Sequence, residues 1–252
     1  MSSVEFLQPA PPRVLAHRGL ATHAPENTLL AFAKALAVGV AHIETDVHAS
    51  ADGVAVIAHD DTLDRVAGRK VRVDQLTMAE LRRVDLGEGQ GFCSLSEAFD
   101  AFPDANFNID LKSAASVQPT VDTIREHRAT GRVLIASFSD RRRRAAVEQL
   151  PGVATSLSAG SMRRLVLADR MRRTHAQRRI LANVHAIQIP ERLNGVRVLT
   201  PRLISGAHAA GVEVHVWTVN EPDDMRRLLS MGVDGVVTDR ADLAVDILKD
   251  FP

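Results

Sequence analysis

Residues 43–59 read IETDVHASADGVAVIAH, and this stretch decides the topology of the chain. Residues 43–48 and 54–59 are two β-rich runs, separated by a short segment that contains Asp52-Gly53. Such a segment is typical of a β-hairpin, whereas a parallel connection needs a dozen residues or more. We therefore predict an antiparallel pair in which the second run returns above the first and brings His59 back towards the end of its neighbour.

On both sides of this hairpin, short β-rich runs alternate with helical patterns along the whole chain. The predicted strands are residues 14–17, 43–47, 107–111, 133–137, 154–157, 186–189, 214–218 and 235–238. Eight strand–helix units in about 250 residues imply an α/β fold whose parallel sheet closes into a (β/α)8 TIM barrel, with an open doubly wound sheet as the alternative. We predict one domain over residues 1–252, with a small insertion after strand two at about residues 47–90.

The composition excludes several classes of protein. The formal net charge is zero and aromatic residues make up 4% of the chain, so nothing favours nucleic acid as a partner. Cys93 is the only cysteine, so no intramolecular disulfide can form. No stretch reaches the roughly 18 consecutive apolar residues of a membrane span, and the first residues lack a secretory pattern. We expect a cytoplasmic protein, and the sequence leaves its oligomeric state open.

Acidic residues recur at the same phase on two neighbouring predicted strands. Glu44 and Asp46 are two residues apart and share one face of their strand, and Asp110 and Lys112 repeat this spacing on the next. A single such pair could be surface charge on an edge strand, but two pairs at one barrel mouth would bury three carboxylates together. That arrangement is costly without a cation. Oxygen ligands favour Mg²⁺ or Ca²⁺, with Mn²⁺ as a third candidate.

Two histidines and an arginine accompany the acidic residues. His17 closes the first strand, at the end where barrel active sites are built, and is followed by Arg18. The planar guanidinium of Arg18 suits phosphate, and His59 supplies a second imidazole. With a divalent cation and a lysine to neutralise negative charge, one histidine can remove a proton while the other protonates a leaving oxygen. This set predicts hydrolysis of a small-molecule phosphodiester.

The ordered set of motifs resembles the signature of the glycerophosphodiester phosphodiesterase family. The matching segments are His17-Arg18-Gly19, Pro25-Glu26-Asn27-Thr28, Glu44-Thr45-Asp46-Val47, Asp52-Gly53, His59-Asp60, Leu63-Asp64-Arg65, Asn108-Ile109-Asp110-Leu111-Lys112, Ser137-Phe138, Trp217-Thr218-Val219-Asn220 and Gly235-Val236-Val237-Thr238-Asp239. Together they span residues 14 to about 242. No single motif is decisive, but their order is highly specific.

The resemblance implies a TIM barrel with an insertion after strand two, and a metal-dependent enzyme. Members of the family hydrolyse deacylated phospholipids such as glycerophosphocholine and glycerophosphoethanolamine to sn-glycerol 3-phosphate and an alcohol. Carried over by position, the implied roles are general base for His17, general acid for His59, metal ligands for Glu44, Asp46 and Asp110, phosphate binding for Arg18 and Lys112, and a substrate-lining side chain for Trp217.

Alternatives remain at this point. The family usually has glutamate where this chain has Asp110, and the shorter side chain would place a metal deeper or leave room for an extra water. Asp110-x-Lys112 also resembles the sphingomyelinase D branch, which acts on whole lysophospholipids or sphingomyelin in a lysophospholipase D-like reaction. The motif at residues 25–28 and the single cysteine argue against that branch. A silent barrel that binds phosphodiesters without turnover is the non-enzyme alternative, and the completeness of the residue set argues against it.

Overall fold

The computed structural model describes residues 4–251 as alternating strands and helices. The strands are β1 (Arg13–His17), β2 (His42–Ala49), β3 (Ala55–Ile57), β4 (Asn106–Leu111), β5 (Val133–Ala136), β6 (Ala154–Thr155), β7 (Ala186–Ile189), β8 (Arg192–Leu193), β9 (Val196–Arg197), β10 (Glu213–Val216) and β11 (Gly235–Thr238). The α-helices are α1 (Leu29–Ala37), α2 (Asp64–Ala67), α3 (Met78–Leu81), α4 (Leu95–Ala101), α5 (Val117–Glu126), α6 (Asp140–Val147), α7 (Ala159–Arg170), α8 (Thr174–Leu181), α9 (Pro201–His208), α10 (Pro222–Ser230) and α11 (Ala241–Lys249).

Eight of these strands form a nearly closed parallel barrel. Their order around the sheet is β6-β5-β4-β2-β1-β11-β10-β7, with every neighbouring pair parallel. A parallel bridge between Ser156 and Ala186 joins β6 to β7 and brings the two ends of the sheet together. The predicted (β/α)8 barrel is therefore confirmed, and the open doubly wound sheet is excluded.

The hairpin after β2 also has the predicted geometry. β3 pairs antiparallel with β2, with Val47 opposite Ile57 and Ala49 opposite Ala55. Val56 of β3 and the segment from Ala58 to Phe92 pack around a small apolar cluster, whereas Ala55 and Ile57 of β3 join a larger cluster beneath the barrel helices. The small cluster consists of Val56, Ala58, Leu63, Val73, Met78, Leu81, Val84 and Phe92. His59 is thus carried by the insertion and not by a barrel strand.

Strand alternation separates the apolar core from the polar mouth. On β2, Ile43 and Val47 belong to the cluster that contains Phe32 of α1 and Phe99 of α4, so they face the surrounding helices. Because successive side chains point to opposite faces, Glu44 and Asp46 face the barrel interior. None of the helices within residues 4–251 is long and apolar enough to cross a membrane.

A buried charged cluster closes the opposite end of the barrel. Arg13 donates to both oxygens of Glu213, from Nε at 2.9 Å and from Nη2 at 2.7 Å. His42 lies at the same end, where its Nε2 is 2.9 Å from the backbone oxygen of Phe6 and its ring packs edge-on against the Phe6 ring. Burial, helped by the charge of Arg13, lowers the pKa of His42 to about 4.

The low pKa of His42 predicts acid sensitivity of the fold. The unfolded chain takes up a proton near the ordinary pKa of 6.5 and the folded protein only near 4, so stability falls as the pH drops through this window. We expect His42 to account for a loss of about 2 kcal/mol in unfolding free energy between about pH 7 and pH 5. His42→Gln, which keeps a donor for Phe6, should remove that part of the loss in denaturant titrations.

The same substitution at the exposed His175 is the matched control and should leave the pH dependence unchanged. Equal loss of stability between the two pH values in wild type and His42→Gln would contradict the assignment.

Candidate active site

His17 is held at the mouth of the barrel by the strand next to its own. Ala16 of β1 pairs with Thr238 of β11, so the following residues, His17 and Asp239, also lie side by side. His17 Nδ1 is 2.6 Å from Asp239 Oδ1, and Asn220 Nδ2 donates to the other oxygen of Asp239 at 2.8 Å. Burial alone would lower the pKa of His17, but the hydrogen bond to Asp239 and the charge of Glu44 outweigh it and raise the pKa.

The three predicted metal ligands are all buried at this mouth. Asp46 of β2 pairs with Asp110 of β4, and Glu44 lies one inward-facing position earlier on β2. Lys112 Nζ lies between the two aspartates, 2.8 Å from Asp46 Oδ1 and 2.7 Å from Asp110 Oδ2. Burial, followed by the charge of Asp46, raises the pKa of Glu44 to about 8. Burial at this mouth therefore disfavours a third negative charge beside those of Asp46 and Asp110.

These carboxylates fit a divalent cation in their chemistry, although their present arrangement does not enclose one. Among residues 4–251, no three acidic, histidine or cysteine side chains converge closely enough to enclose a metal ion. The ammonium of Lys112 occupies the space between Asp46 and Asp110. Asp110 Oδ1, however, is buried and has no hydrogen-bond partner within residues 4–251, and Mg²⁺ and Ca²⁺ prefer oxygen ligands. The metal site stays a prediction.

Arg18 is placed by a tight turn after β1. Arg18 and Gly19 both adopt positive φ, 57° and 85°, and a Cβ at Gly19 would lie 2.7 Å from the backbone of Ala31. Arg18 Nη1 donates to Glu26 at 2.9 Å, while its Nε lies 3.4 Å from Asp46 Oδ2 without a well-directed hydrogen bond. This turn therefore directs the Arg18 guanidinium towards the carboxylates of the mouth.

His59 lies in a cleft between the barrel and the insertion. Its Nδ1 is 2.7 Å from Asp60 Oδ1, and Asp60 Oδ2 accepts a hydrogen bond from Arg65 Nε at 2.6 Å. The cleft has a volume of about 210 Å³, and its walls also include Glu26 and Asn27 from the loop after β1. The His59 imidazole is therefore oriented by a carboxylate, as is that of His17.

Phe138 lies beside Lys112, and Trp217 lies against Phe138. Trp217 follows β10 and is half-buried, and its ring lies 6.2 Å from that of Phe138, which is 59% exposed after β5. Lys112 Nζ is 5.9 Å from the centre of the Phe138 ring. The substrate-lining role of Trp217 stays a prediction, and Phe138 is a neighbour of Trp217 whose role was not predicted.

Several positioning residues had no role assigned from the sequence. Asp239, Asn220, Asp60 and Arg65 all belong to quoted motifs, yet their partners became visible only in the folded chain. Closure of the barrel was the available signal for Asp239, because a closed barrel places the end of its last strand beside the end of its first. No comparable signal pointed to Arg65.

Comparison with known proteins links this geometry to one family. The model of the glycerophosphoryl diester phosphodiesterase family matches residues 17–243. A Mycobacterium tuberculosis protein named "Probable glycerophosphodiester phosphodiesterase 2" is 44% identical, over 98% of this chain and 94% of its own. A glycerophosphodiester phosphodiesterase of Caldanaerobacter subterraneus is 30% identical, over 94% and 97%. The crystal structure of a Silicibacter pomeroyi protein named for the same activity is 28% identical, with a TM-score of 0.81 and 98% of each chain covered.

The pairing of His17 with Asp239 predicts a strong dependence of turnover on that carboxylate. Asp239→Asn keeps the shape of the side chain but replaces one acceptor oxygen by a donor, so the His17 ring loses the partner that fixes its tautomer. We expect kcat for a phosphodiester substrate to fall about 100-fold or more, with KM little changed. Steady-state kinetics measures both constants.

Asp234→Asn is the matched control. Asp234 also contacts a histidine, His208, at 2.7 Å, but it lies at the opposite end of β11. The kcat of the Asp234→Asn variant should stay within about twofold of wild type, because Asp234 lies far from the predicted catalytic residues at the other end of the barrel. Equal losses in the two variants, or no loss in Asp239→Asn, would contradict the role given to Asp239.

Proposed function

The chain belongs to the glycerophosphoryl diester phosphodiesterase family, and we propose that it hydrolyses glycerophosphocholine, glycerophosphoethanolamine and similar small diesters to sn-glycerol 3-phosphate and an alcohol. It is a phosphoric diester hydrolase of that family. One observation supports this reaction above the others. The mouth of the barrel combines His17, which is hydrogen-bonded to a carboxylate, with three buried carboxylates, Lys112 and Arg18. His59 is the second histidine, in the adjoining cleft.

We assign His17 as the general base. Asp239 accepts the Nδ1–H of His17, so Nε2 carries the free lone pair and faces the carboxylate side of the mouth, 4.0 Å from Glu44. Nε2 would remove the proton from the hydroxyl that attacks phosphorus. The resemblance to the family suggests that this hydroxyl belongs to the substrate's own glycerol, which would give a cyclic phosphate that water then opens.

We assign His59 as the general acid. Asp60 lies against Nδ1 and leaves Nε2 available to donate a proton to the oxygen of the departing alcohol. Alkoxide leaving groups are strongly basic, so their departure depends on this proton. His17 and His59 would thus act on opposite ends of the bond rearrangement, with the base on a barrel strand and the acid on the insertion.

We assign Lys112 and Arg18 to phosphate binding. Lys112 has three donor hydrogens, of which the contacts to Asp46 and Asp110 use two, so one remains for a phosphate oxygen. Arg18 contacts Glu26 through Nη1, so its Nη2 edge can turn to the phosphate. Both cations would also stabilise the charge that accumulates on the equatorial oxygens during displacement.

Glu44, Asp46 and Asp110 would hold a divalent cation, with Mg²⁺, Ca²⁺ and Mn²⁺ as candidates. Bound there, the cation would supply Lewis-acid stabilisation of the phosphoryl oxygens. The support for this assignment is the buried Oδ1 of Asp110, which has no hydrogen-bond partner among residues 4–251, and the raised pKa of Glu44. Asp110 stands where relatives usually have glutamate, so the metal preference can differ from theirs.

Hydrolysis of glycerophosphocholine tests the proposed function. Protein stripped with EDTA should be inactive, and Mg²⁺, Ca²⁺ or Mn²⁺ should restore release of sn-glycerol 3-phosphate, measured by a coupled dehydrogenase assay. His17→Ala should reduce kcat by about 100-fold or more. Turnover without added metal would contradict the proposed requirement for a divalent cation. Turnover of whole lysolipids but not of deacylated diesters would indicate a sphingomyelinase D-like reaction instead.

Calorimetry on stripped protein tests the metal ligands separately from turnover. One divalent cation should bind per chain, and Asp110→Asn should weaken binding by at least about tenfold because a charged oxygen donor is lost. Asp110→Glu should still bind. Asp100→Asn, at an exposed carboxylate on α4, is the control and should bind as wild type does. Unchanged affinity in Asp110→Asn would exclude Asp110 as a ligand.

A further inference from the structure

We propose that Arg65 is the positioning residue for the general acid, holding Asp60 so that Asp60 orients the His59 imidazole, and tying this pair to the barrel through Glu26. This inference rests on the proposed function, in which His59 protonates the leaving oxygen. The sequence assigned no role to Arg65, and Arg65 itself touches neither of the two histidines.

The contacts form a continuous chain of charged side chains across the cleft. His59 Nδ1 lies 2.7 Å from one oxygen of Asp60, and Arg65 Nε donates to the other at 2.6 Å. Arg65 Nη2 donates to Glu26 Oε1 at 2.6 Å, and the same oxygen accepts from Arg18 Nη1 at 2.9 Å. The chain thus runs from the predicted acid, on the insertion, to the predicted phosphate-binding arginine, on the barrel.

Regular structure holds the backbone of the insertion beside His59, so the tie through Arg65 acts on the side chains of His59 and Asp60. β3 pairs with β2, and two of its three residues, Ala55 and Ile57, join the large apolar cluster beneath the barrel helices, whereas α2 has only four residues and packs on the small cluster of the insertion. The backbone at His59 is also held by β2, because Ala58 N–H donates to the Asp46 carbonyl at 3.0 Å and His48 Nε2 lies 3.3 Å from the His59 carbonyl, but neither contact reaches the His59 ring. Within residues 4–251, the ion pairs of Arg65 with Asp60 and Glu26 are the only ones that connect Asp60 to the loop after β1.

Arginine is suited to this position because two of its nitrogens point to two different carboxylates. The guanidinium presents Nε and Nη2 in a fixed fork, whereas a lysine ammonium is a point charge that holds one partner well. Burial would raise the pKa of Asp60, but the hydrogen bonds from His59 and Arg65 outweigh it and lower the pKa. Asp60 therefore stays ionised and keeps accepting from Nδ1, which reserves Nε2 for the leaving group.

The exposure of Arg65 distinguishes a positioning role from a contribution to folding stability. The Arg65 side chain is 50% exposed, and ion pairs of such side chains contribute little to folding. Arg72 is a close match in the same insertion: it is 48% exposed and pairs with two carboxylates, Asp61 at 2.7 Å and Asp74 at 2.9 Å, neither of which contacts a histidine in the described chain. Arg72→Met therefore removes the same kind of side chain without touching His59.

The test compares two substrates that differ in their need for an acid. Glycerophosphocholine releases a basic alkoxide that must be protonated, whereas glycerophospho-p-nitrophenol releases a phenolate that departs without a proton. Full-length wild type, Arg65→Met, Arg65→Lys, Arg72→Met and His59→Ala are assayed with both substrates under identical metal conditions, and kcat and KM are determined for each.

We expect Arg65→Met to lower kcat for glycerophosphocholine by about 10- to 100-fold, with KM within about twofold, because a misdirected acid loses part of its usual contribution. The loss for the p-nitrophenyl diester should be under about threefold. Arg65→Lys should recover part of the lost kcat, and Arg72→Met should match wild type on both substrates. His59→Ala should show the same dependence on the leaving group as Arg65→Met, but more strongly.

Suppose that His59→Ala loses much more kcat on glycerophosphocholine than on the p-nitrophenyl diester. The inference about Arg65 is then overturned if Arg65→Met loses kcat equally on both substrates, or on neither. If His59→Ala does not discriminate, the assignment of His59 as general acid in the proposed function is wrong and the role of Arg65 is wrong with it. The two failures are therefore distinguishable.

Discussion

Three buried carboxylates at the carboxyl ends of β2 and β4 impose the constraint on which the rest of the site depends. Glu44, Asp46 and Asp110 cannot all remain charged in a buried mouth without positive charge nearby. Lys112 meets part of this need by bridging the two aspartates. Two signs of incomplete compensation are left within residues 4–251: the pKa of Glu44 is raised, and Oδ1 of Asp110 has no hydrogen-bond partner. The proposed divalent cation would let all three carboxylates be charged at once.

The two histidines are fixed by different physical means. His17 is held by barrel closure, because β1 and β11 are neighbours and Asp239 follows from their register. His59 lies on the insertion and is oriented through Asp60 and Arg65. His17 thus lies on the barrel, whereas His59 lines a cleft between the insertion and the loop after β1, which contributes Glu26 and Asn27. Because ion pairs of exposed arginines contribute little to folding, substitutions at Arg65 can alter chemistry without unfolding the protein.

Much of this arrangement follows from local patterns in the sequence. The period of two along a strand places Glu44 and Asp46 on one face, and Asp52-Gly53 predicts the hairpin that returns His59. The contacts that orient the histidines do not follow from such patterns. Asp239 is 222 residues from His17, and Glu26 is 39 residues from Arg65, so both pairs depend on the closed fold. The place of Lys112 between Asp46 and Asp110 likewise depends on the register between two strands.

The central claim is that the carboxylates of this mouth hold a divalent cation. Anomalous diffraction from crystals grown with Mn²⁺ tests it most directly. We predict a single strong anomalous peak within coordination distance of Glu44, Asp46 and Asp110, with Lys112 moved away from at least one of the two aspartates it bridges. A peak elsewhere, or none at this mouth while Lys112 still bridges Asp46 and Asp110, would contradict the account.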